Sequence, residues 1–291
     1  MKSWILAARP KTLPAAIVPV WLGTMLAWYD SGTVSIWLAV ATIVSTICIQ
    51  IATNLFNDAL DAQKGADTER RLGPVRVTAS GKLPVRAVLL GGVGFCGLAA
   101  LFGLPLIAAR GPVILGIGVV SLLLAYAYTG GPYPLAYRGM GELFVILFFG
   151  FVATLGSYFV QTGQMAAMSG WMLALQVGLL SSALIAINNL RDAAEDATTG
   201  KRTLAVRWGT TFGRVEITLF CLLPLLLGFV AWGFASTVAW LPFGHLPVAL
   251  IICRGVWTQP PSRAYNRFLA LGGVQLLTFA VLLTAALLQS K

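Results

Sequence analysis

The sequence is poor in charged residues. Only 10% of its 291 residues are Asp, Glu, Lys or Arg, whereas 58% are hydrophobic. A soluble domain of this length needs a much more polar surface, so we expect a lipid bilayer to cover most of the exterior. The net charge of +10 does not indicate nucleic acid binding, because the basic residues lie in short breaks between apolar runs. We expect no nucleic-acid partner, and nothing in the sequence implies a protein partner.

Several motifs that carry chemistry are also missing. The four cysteines include no Cys-x-x-Cys pair, so neither a zinc site nor a disulfide framework is supported. The single histidine, His245, has no acidic neighbour in the sequence and is interpreted as a residue of the membrane interface rather than a base. No Gly-x-Ser-x-Gly elbow and no P-loop occurs, so hydrolase and nucleotidase functions are not indicated. The absence of an Arg- and Ser-rich transit peptide favours a bacterial cell inner membrane.

Apolar stretches long enough to cross a bilayer run through the whole chain. About 20 apolar residues are needed to cross the hydrocarbon layer as a helix. Nine stretches qualify: 13–29, 36–54, 87–107, 112–128, 142–161, 171–188, 215–233, 236–253 and 268–288. The sequence therefore predicts an all-α polytopic membrane protein that forms a single domain over residues 1–291.

The distribution of Lys and Arg predicts the orientation of these spans. With nine spans, 18 of the 20 basic residues lie in the segments on one side of the membrane. The other side keeps only Arg110 and Lys291. By the positive-inside rule, the N-terminus is cytoplasmic and the C-terminus is external.

Six of the ten acidic residues lie in two clusters, each where an even-numbered span reaches the cytoplasm. In the first cluster Asn54, Asp58 and Asp61 stand on one face of a continuing helix. Asp67 follows, and the sequence leaves open whether it is a ligand or a loop charge. In the second cluster Asn188, Asp192 and Asp196 recur at every fourth residue.

Carboxylates stacked on one helix face repel each other unless a cation lies between them. Asn and Asp oxygens are suited to Mg²⁺, whose coordination is usually completed by water and by substrate phosphates. For one Asp, a solvated charge at a helix end is the simpler interpretation, but two matched faces favour a metal site. Basic residues that could bind phosphate oxygens directly follow or lie between the clusters: Lys64, Arg71, Arg138 and Lys201.

Two further residue groups remain ambiguous from the sequence. Arg138 is the only cation between the fourth and fifth spans, and it is either a phosphate ligand or a topology charge. Tyr133, nearby, is either a substrate contact or part of the interfacial aromatic belt. Arg9 precedes the first span and is either a membrane anchor or a partner for a substrate carboxylate.

Four segments give the chain a resemblance to a known family. They are Ala8 to Pro14, Asn54 to Asp67, Tyr128 to Leu135, and Asn188 to Arg207. In order and spacing these segments resemble the intramembrane aromatic prenyltransferases of the UbiA superfamily, and most of all the branch that acts on 1,4-dihydroxy-2-naphthoate. Gly65 stands where the 4-hydroxybenzoate branch has a third Asp, and Tyr137 stands where that branch has a Lys.

The resemblance implies nine helices around a central cavity with cytoplasmic cap loops. It also implies transfer of a polyprenyl group from polyprenyl diphosphate to an aromatic acid, with Mg²⁺ as cofactor. The catalytic residues would be Asp58, Asp61, Asp192 and Asp196, and the metal ligands these four with Asn54 and Asn188. The diphosphate would contact Lys64, Arg71, Arg138 and Lys201, and the aromatic substrate Arg9 and Tyr133.

Two alternatives to this function are left open by the sequence. The acceptor could instead be homogentisate or 4-hydroxybenzoate. From a different class, a secondary transporter also carries intramembrane carboxylates, but these are typically at mid-bilayer rather than at helix ends.

Overall fold

The described residues fold into helices joined by short connections. The computed structural model describes residues 2–67 and 71–291, and this part of the chain contains no strand. The helices are α1 Lys2–Ala8, α2 Leu13–Ser31, α3 Ile36–Gln63, α4 Val85–Arg110, α5 Pro112–Ala127, α6 Gly141–Thr162, α7 Met168–Thr198, α8 Leu204–Trp232, α9 Thr237–Thr258 and α10 Tyr265–Gln289. The prediction of an all-α polytopic protein is confirmed.

The predicted number of spans is close to what the described residues contain. Eight helices are long and apolar enough to cross a membrane when α1 and α2 are counted as one segment, Lys2–Ser31. The ninth candidate, α5, has 16 residues and therefore a length of roughly 24 Å, slightly short of the hydrocarbon thickness. The short break predicted between the seventh and eighth spans is present, between Trp232 and Thr237.

The helix α7 lies at the centre of the bundle. It packs against α6, α8 and α10, while α2 packs against α3, α6 and α10. The largest apolar core lies where α2, α6, α7 and α10 meet, and it includes Leu22, Leu173 and Phe279. A second core joins α7 to α8, α9 and α10 around Ile217 and Ile252. The helices α3 and α4 form a pair on the other side of α2.

The helix α6 changes its winding where it packs against α7. Residues Ile146–Leu155 form a π-helix, a wider form that is often found at functional sites. At this position α6 and α7 approach closely, because a Cβ atom on Gly150 would lie 2.6 Å from the carbonyl oxygen of Ala174 and 2.9 Å from the Cα of Gly178. The absence of a side chain at Gly150 is therefore required for this packing.

The interpretation of His245 as an interfacial residue is wrong. Its side chain is completely buried, and its ring packs against Phe279 with a distance of 5.6 Å between the ring centroids. The first turns of α9, up to His245, pack against α10, and this packing turns the imidazole toward the protein interior. The helix bundle, rather than the membrane interface, provides the environment of this residue.

A buried arginine on α7 connects three parts of the fold. Arg191 is 1% exposed and donates two hydrogen bonds to Asp192, from Nε at 2.7 Å and from Nη2 at 2.6 Å. It also donates to Asn188 and, on α10, to Asn266, both at 2.7 Å. The Asn266 amide in turn donates to the carbonyl oxygen of Leu72 at 3.0 Å. The side chain thus links α7 to α10 and to the segment that follows the first acidic cluster.

Replacement of Arg191 by alanine is expected to destabilise the protein strongly. The change leaves the buried Asp192 carboxylate without its main partner, which typically costs about 3 to 5 kcal/mol. Thermal unfolding of the purified protein in detergent measures the effect. The exposed Arg263→Ala variant is the control, and an R191A variant that unfolds at the temperature of this control would contradict the expectation.

The two chain ends lie at opposite ends of α2. Arg9 lies shortly before α2, separated from it by the turn Pro10–Thr12. The Lys291 amine donates to the carbonyl oxygen of Trp28, near the end of the same helix, at 2.7 Å. We therefore expect alkaline phosphatase fused after Lys291 to be active, since this enzyme needs the external side, and a fluorescent protein fused there to stay dark. The reverse result would refute the predicted external C-terminus.

Candidate active site

The two acidic clusters border one cavity. This cavity has a volume of about 550 Å³, and its charged end is lined by residues from both clusters and by neighbouring cations. The predicted site residues among its lining are Arg9, Asn54, Asp61, Asn188 and Lys201. The ends of α3 and α7, far apart in the sequence, therefore contribute to the same space.

In the first cluster, the two aspartates have different partners. Asp58 accepts hydrogen bonds from the backbone N–H groups of Val77 at 3.2 Å and Thr78 at 2.8 Å. Asp61 accepts a hydrogen bond from the hydroxyl group of Tyr137 at 2.9 Å. Asp58 therefore anchors the loop that follows α3, whereas Asp61 lies at the cavity wall.

Asn54 connects α3 to the segment that carries Arg9. Its amide donates to the carbonyl oxygen of Ala8 at 2.9 Å and to the hydroxyl oxygen of Thr12 at 3.1 Å. Between these two contacts, Arg9 has a φ angle of 51°, and it is the only non-glycine residue with a positive φ in the described part of the chain. Such a backbone conformation costs about 1 to 3 kcal/mol and is frequent at functional sites. The strained turn places the Arg9 side chain in the cavity wall, where its buried Nη2 atom lacks a hydrogen-bond partner.

The second cluster is held mainly by cations. Asp192 is paired with Arg191 and lies 3.6 Å from Nη2 of Arg71. Asp196 lies 3.5 Å from the amine of Lys201, and its Oδ2 atom is buried without a hydrogen-bond partner. Each of these carboxylates is thus at least partly neutralised.

Two arginines from the loop after α3 contact the acidic residues, and one of them, Arg71, connects the two clusters. Arg71 forms an ion pair with Asp67 and also approaches Asp192, while Arg76 lies 3.4 Å from Asp67 and 3.9 Å from Asp61. Burial raises the pKa of Asp67 to about 6, although the charge of Arg71 acts in the opposite direction. Asp67 therefore contacts loop cations in this structure, and its side chain is not part of the cavity lining.

Lys64 lies beside the cavity rather than in its wall. Its amine donates to the carbonyl oxygen of Thr129 at 2.5 Å and lies 4.4 Å from the centre of the Tyr137 ring. Burial lowers the pKa of Lys64, and the nearby Asp61 partly opposes this effect. Burial and the contact with Asp61 both raise the pKa of Tyr137, so its hydroxyl group remains a donor.

Tyr133 and Arg138 are not brought into the cavity. The Arg138 guanidinium stacks over the ring of Tyr133, 3.9 Å from its centre. Tyr133 is 53% exposed, and neither residue belongs to the cavity lining. In this arrangement the two side chains contact each other at the surface, so their predicted substrate contacts remain predictions that this geometry does not support.

The acidic residues offer oxygen ligands but no assembled metal centre. Among the described residues, no three His, Cys, Asp or Glu side chains form a group that could hold a metal ion. The available ligands are Asp and Asn oxygens, the type that Mg²⁺ prefers, and Oδ2 atoms of Asp67 and Asp196 are buried without hydrogen-bond partners. The ligand chemistry therefore fits Mg²⁺, while the individual metal ligands remain predictions.

The cavity wall contains a buried carboxylate that was not predicted from the sequence. Glu142, in the first turn of α6, is 2% exposed and accepts a hydrogen bond from the amide of Asn189 at 2.7 Å. Tyr128 lines the same part of the cavity. An acidic residue at the start of an apolar span was the available signal, because such residues are usually functional.

The other end of the cavity is apolar and extends toward the bilayer. Its walls come from α4, α5 and α6. The helix α5 packs against α3 and α4, whereas its contacts with α6 are few. A smaller hollow of about 330 Å³ lies between α5 and α6 and shares Ile117, Phe148 and Val152 with the main cavity. The cavity therefore continues through a gap between these two helices, which we call the α5–α6 gap.

Comparisons with known proteins agree with this architecture. The chain is 34% identical to the 1,4-dihydroxy-2-naphthoate octaprenyltransferase of Haemophilus influenzae over 82% of this chain and 80% of the relative. It is 33% identical to the enzyme of the same name from Mycobacterium leprae, over 98% and 95% of the two chains. A UbiA homolog from Archaeoglobus fulgidus, solved with GPP and Mg²⁺, has the same fold, with a TM-score of 0.72 at 14% identity over 98% of this chain and 99% of that one.

The family model that matches is that of the UbiA prenyltransferase family, over residues 16–288. This range includes both acidic clusters and the helices α3 to α7, which supply most of the cavity wall. The chain belongs to the UbiA prenyltransferase family.

Proposed function

We propose that this protein transfers a polyprenyl group from polyprenyl diphosphate to 1,4-dihydroxy-2-naphthoate. Diphosphate and CO₂ are released, and the product is demethylmenaquinone in its reduced, hydroquinone form. The observation that carries this proposal is a single cavity with a charged end between two acidic clusters and an apolar end that reaches the α5–α6 gap. A polyprenyl diphosphate has the same division into a charged head and a long apolar tail. The names of the relatives from Haemophilus influenzae and Mycobacterium leprae support the naphthoate acceptor.

The charged end of the cavity would bind the diphosphate. Lys201 and Arg76 line this end, and Arg71 lies behind it, next to Asp192. The Mg²⁺ ligands would be Asn54, Asp58, Asp61, Asn188, Asp192 and Asp196. When bound, Mg²⁺ would supply positive charge to the diphosphate as a Lewis acid. The guanidinium and ammonium groups stabilise the negative charge that develops as the diphosphate leaves.

The cavity walls would protect the reacting carbon from water. As the C–O bond to the diphosphate breaks, the prenyl group becomes an allylic cation. Apolar side chains of α4, α5 and α6 surround this part of the cavity, among them Leu104, Ile117 and Phe148. Exclusion of water favours attack by the aromatic ring over hydrolysis of the cation. The ring attacks through the carbon that bears the carboxylate, and loss of CO₂ restores its aromatic character.

Removal of the divalent metal is expected to abolish prenyl transfer. We expect EDTA to stop the reaction in membranes and added Mg²⁺ to restore it.

The Asp61→Asn and Asp192→Asn variants should each lose about 100-fold or more of the activity, as is typical when electrostatic stabilisation is removed. The matched control is Asp30→Asn, since Asp30 bonds to Tyr158 at the other end of the bundle. Near-normal turnover by D61N and D192N would exclude the proposed metal site.

The acceptor is tested by supplying each candidate separately. Membranes with radiolabelled prenyl diphosphate are incubated with 1,4-dihydroxy-2-naphthoate, homogentisate or 4-hydroxybenzoate. We expect a labelled product with the naphthoate at a rate at least about tenfold above the others, because a site that hydrogen-bonds its substrate discriminates strongly. Preferential use of either single-ring acid would overturn the naphthoate assignment but keep the prenyl transfer.

The α5–α6 gap is tested by filling it. Gly116 lines the gap but not the main cavity, and a Cβ atom there meets nothing within 4 Å. Gly116→Phe should lower activity with an octaprenyl donor about tenfold, because the new ring would crowd the prenyl tail in the gap, and such overpacking costs about 1 to 3 kcal/mol. Activity with dimethylallyl diphosphate, which has no long tail, should stay near normal. Gly97→Phe, on the exposed face of α4, is the control. Equal loss with both donors would show that the tail does not pass through the gap.

A further inference from the structure

A carboxylate oxygen in the cavity wall lacks the partner that its burial requires. Glu142 is 2% exposed, and its Oε1 atom accepts the hydrogen bond from Asn189. Its Oε2 atom is buried, and in the described part of the chain it has no hydrogen-bond partner. A buried carboxylate oxygen left without a donor is costly. A ligand in the cavity that carries a hydrogen-bond donor would satisfy this oxygen.

Two other residues that line the same cavity carry polar groups with the same property. The Ser181 hydroxyl on α7 lines the cavity and is buried without a hydrogen-bond partner. The Nη2 atom of Arg9, also in the cavity wall, is buried without a partner as well. The wall of one cavity thus contains an unpaired acceptor, an unpaired hydroxyl group and an unpaired cation.

Of the two substrates in the proposed function, only one can satisfy Glu142. The prenyl chain has no hydrogen-bond donor, and the diphosphate offers acceptor oxygens whose negative charge is repelled by a carboxylate. The aromatic acceptor carries ring hydroxyl groups, which donate, and a carboxylate, which an arginine can bind. The unpaired groups therefore match the aromatic substrate.

Building on the proposed function, we propose that Glu142 is a binding residue for the aromatic acceptor. Its Oε2 atom accepts a hydrogen bond from a ring hydroxyl group, while Arg9 pairs with the ring carboxylate. A hydrogen bond from a hydroxyl group to a carboxylate is strong because the acceptor is charged. It also increases the electron density of the ring, and a more electron-rich ring attacks the allylic cation more readily.

The alternative is that Glu142 only joins α6 to α7 through Asn189. The Glu142→Gln variant separates the two roles. The glutamine oxygen can still accept from Asn189, but the amide nitrogen that replaces Oε2 is a donor and cannot accept from a hydroxyl group. The control is Glu216→Gln, which makes the same change at a carboxylate on α8 that is 8% exposed and does not line the cavity.

The experiment measures equilibrium binding to the purified full-length protein in lipid nanodiscs. The probes are 1,4-dihydroxy-2-naphthoate and 2-naphthoate, which keeps the rings and the carboxylate but lacks both hydroxyl groups. Binding is followed by quenching of tryptophan fluorescence, and prenyl diphosphate binding is measured separately. For the dihydroxy compound, E142Q should bind about 10- to 100-fold more weakly than the wild type, and E216Q within about twofold of it. Prenyl diphosphate should bind equally to all three proteins.

The comparison of the two probes keeps the proposal testable if E142Q is poorly folded. The wild type itself should bind 2-naphthoate at least about tenfold more weakly than the dihydroxy compound, and E142Q should bind the two nearly equally. The proposal is overturned if the wild type does not distinguish the probes, or if E142Q behaves like E216Q. In either case, wild-type prenyl transfer to the naphthoate would leave the proposed function intact. A wild type that binds and prenylates no hydroxylated aromatic acid would refute both.

Discussion

Compensation of buried carboxylates by cations is the interaction on which the charged end of this bundle depends. The ends of α3 and α7 bring several acidic side chains into a protein interior, where an unpaired charge is strongly unfavourable. Arg191 neutralises Asp192 and ties it to α10, while Arg71 and Arg76 join the loop after α3 to carboxylates of both clusters. The same loop cations that hold the two helix ends together are those that an incoming diphosphate would meet. Structure and proposed substrate binding therefore draw on one set of charges.

The rest of the cavity follows from the way the helices pack below these charges. Close contact between α6 and α7 at Gly150 and Gly178 is combined with π-helical winding in α6, whereas α5 contacts α6 little. Helices that pack tightly on one side and loosely on the other leave an apolar space that is closed toward the bundle centre and open toward the bilayer. In the proposed function, the charged end would bind the head group and the open side would accommodate the tail of a membrane-resident prenyl donor.

The parts of this site that follow helix periodicity could be predicted from the sequence, and the parts that depend on tertiary packing could not. Asn54 and Asp61 share a helix face, and the structure places both at the cavity as their spacing indicates. The position of Glu142 in the cavity wall could not be predicted, because nothing in the sequence shows that α6 turns this side chain toward Asn189. For Tyr133 and Arg138 the reverse holds. The family resemblance implied a substrate role for both, but a loop can direct adjacent side chains to the surface, where these two stack on each other.

In the proposed function, the α5–α6 gap is the route by which the donor enters the cavity. A site that opens sideways into the bilayer samples molecules that diffuse in two dimensions within the lipid, so the relevant donor concentration is a mole fraction of the membrane rather than a molarity in water. The aromatic acid, by contrast, is water-soluble and has to reach the charged end of the same cavity from the aqueous phase. By these routes the two substrates would arrive from different phases, and their rates of supply would depend on separate physical variables: the lipid content of the membrane for one, and the volume of the surrounding solution for the other.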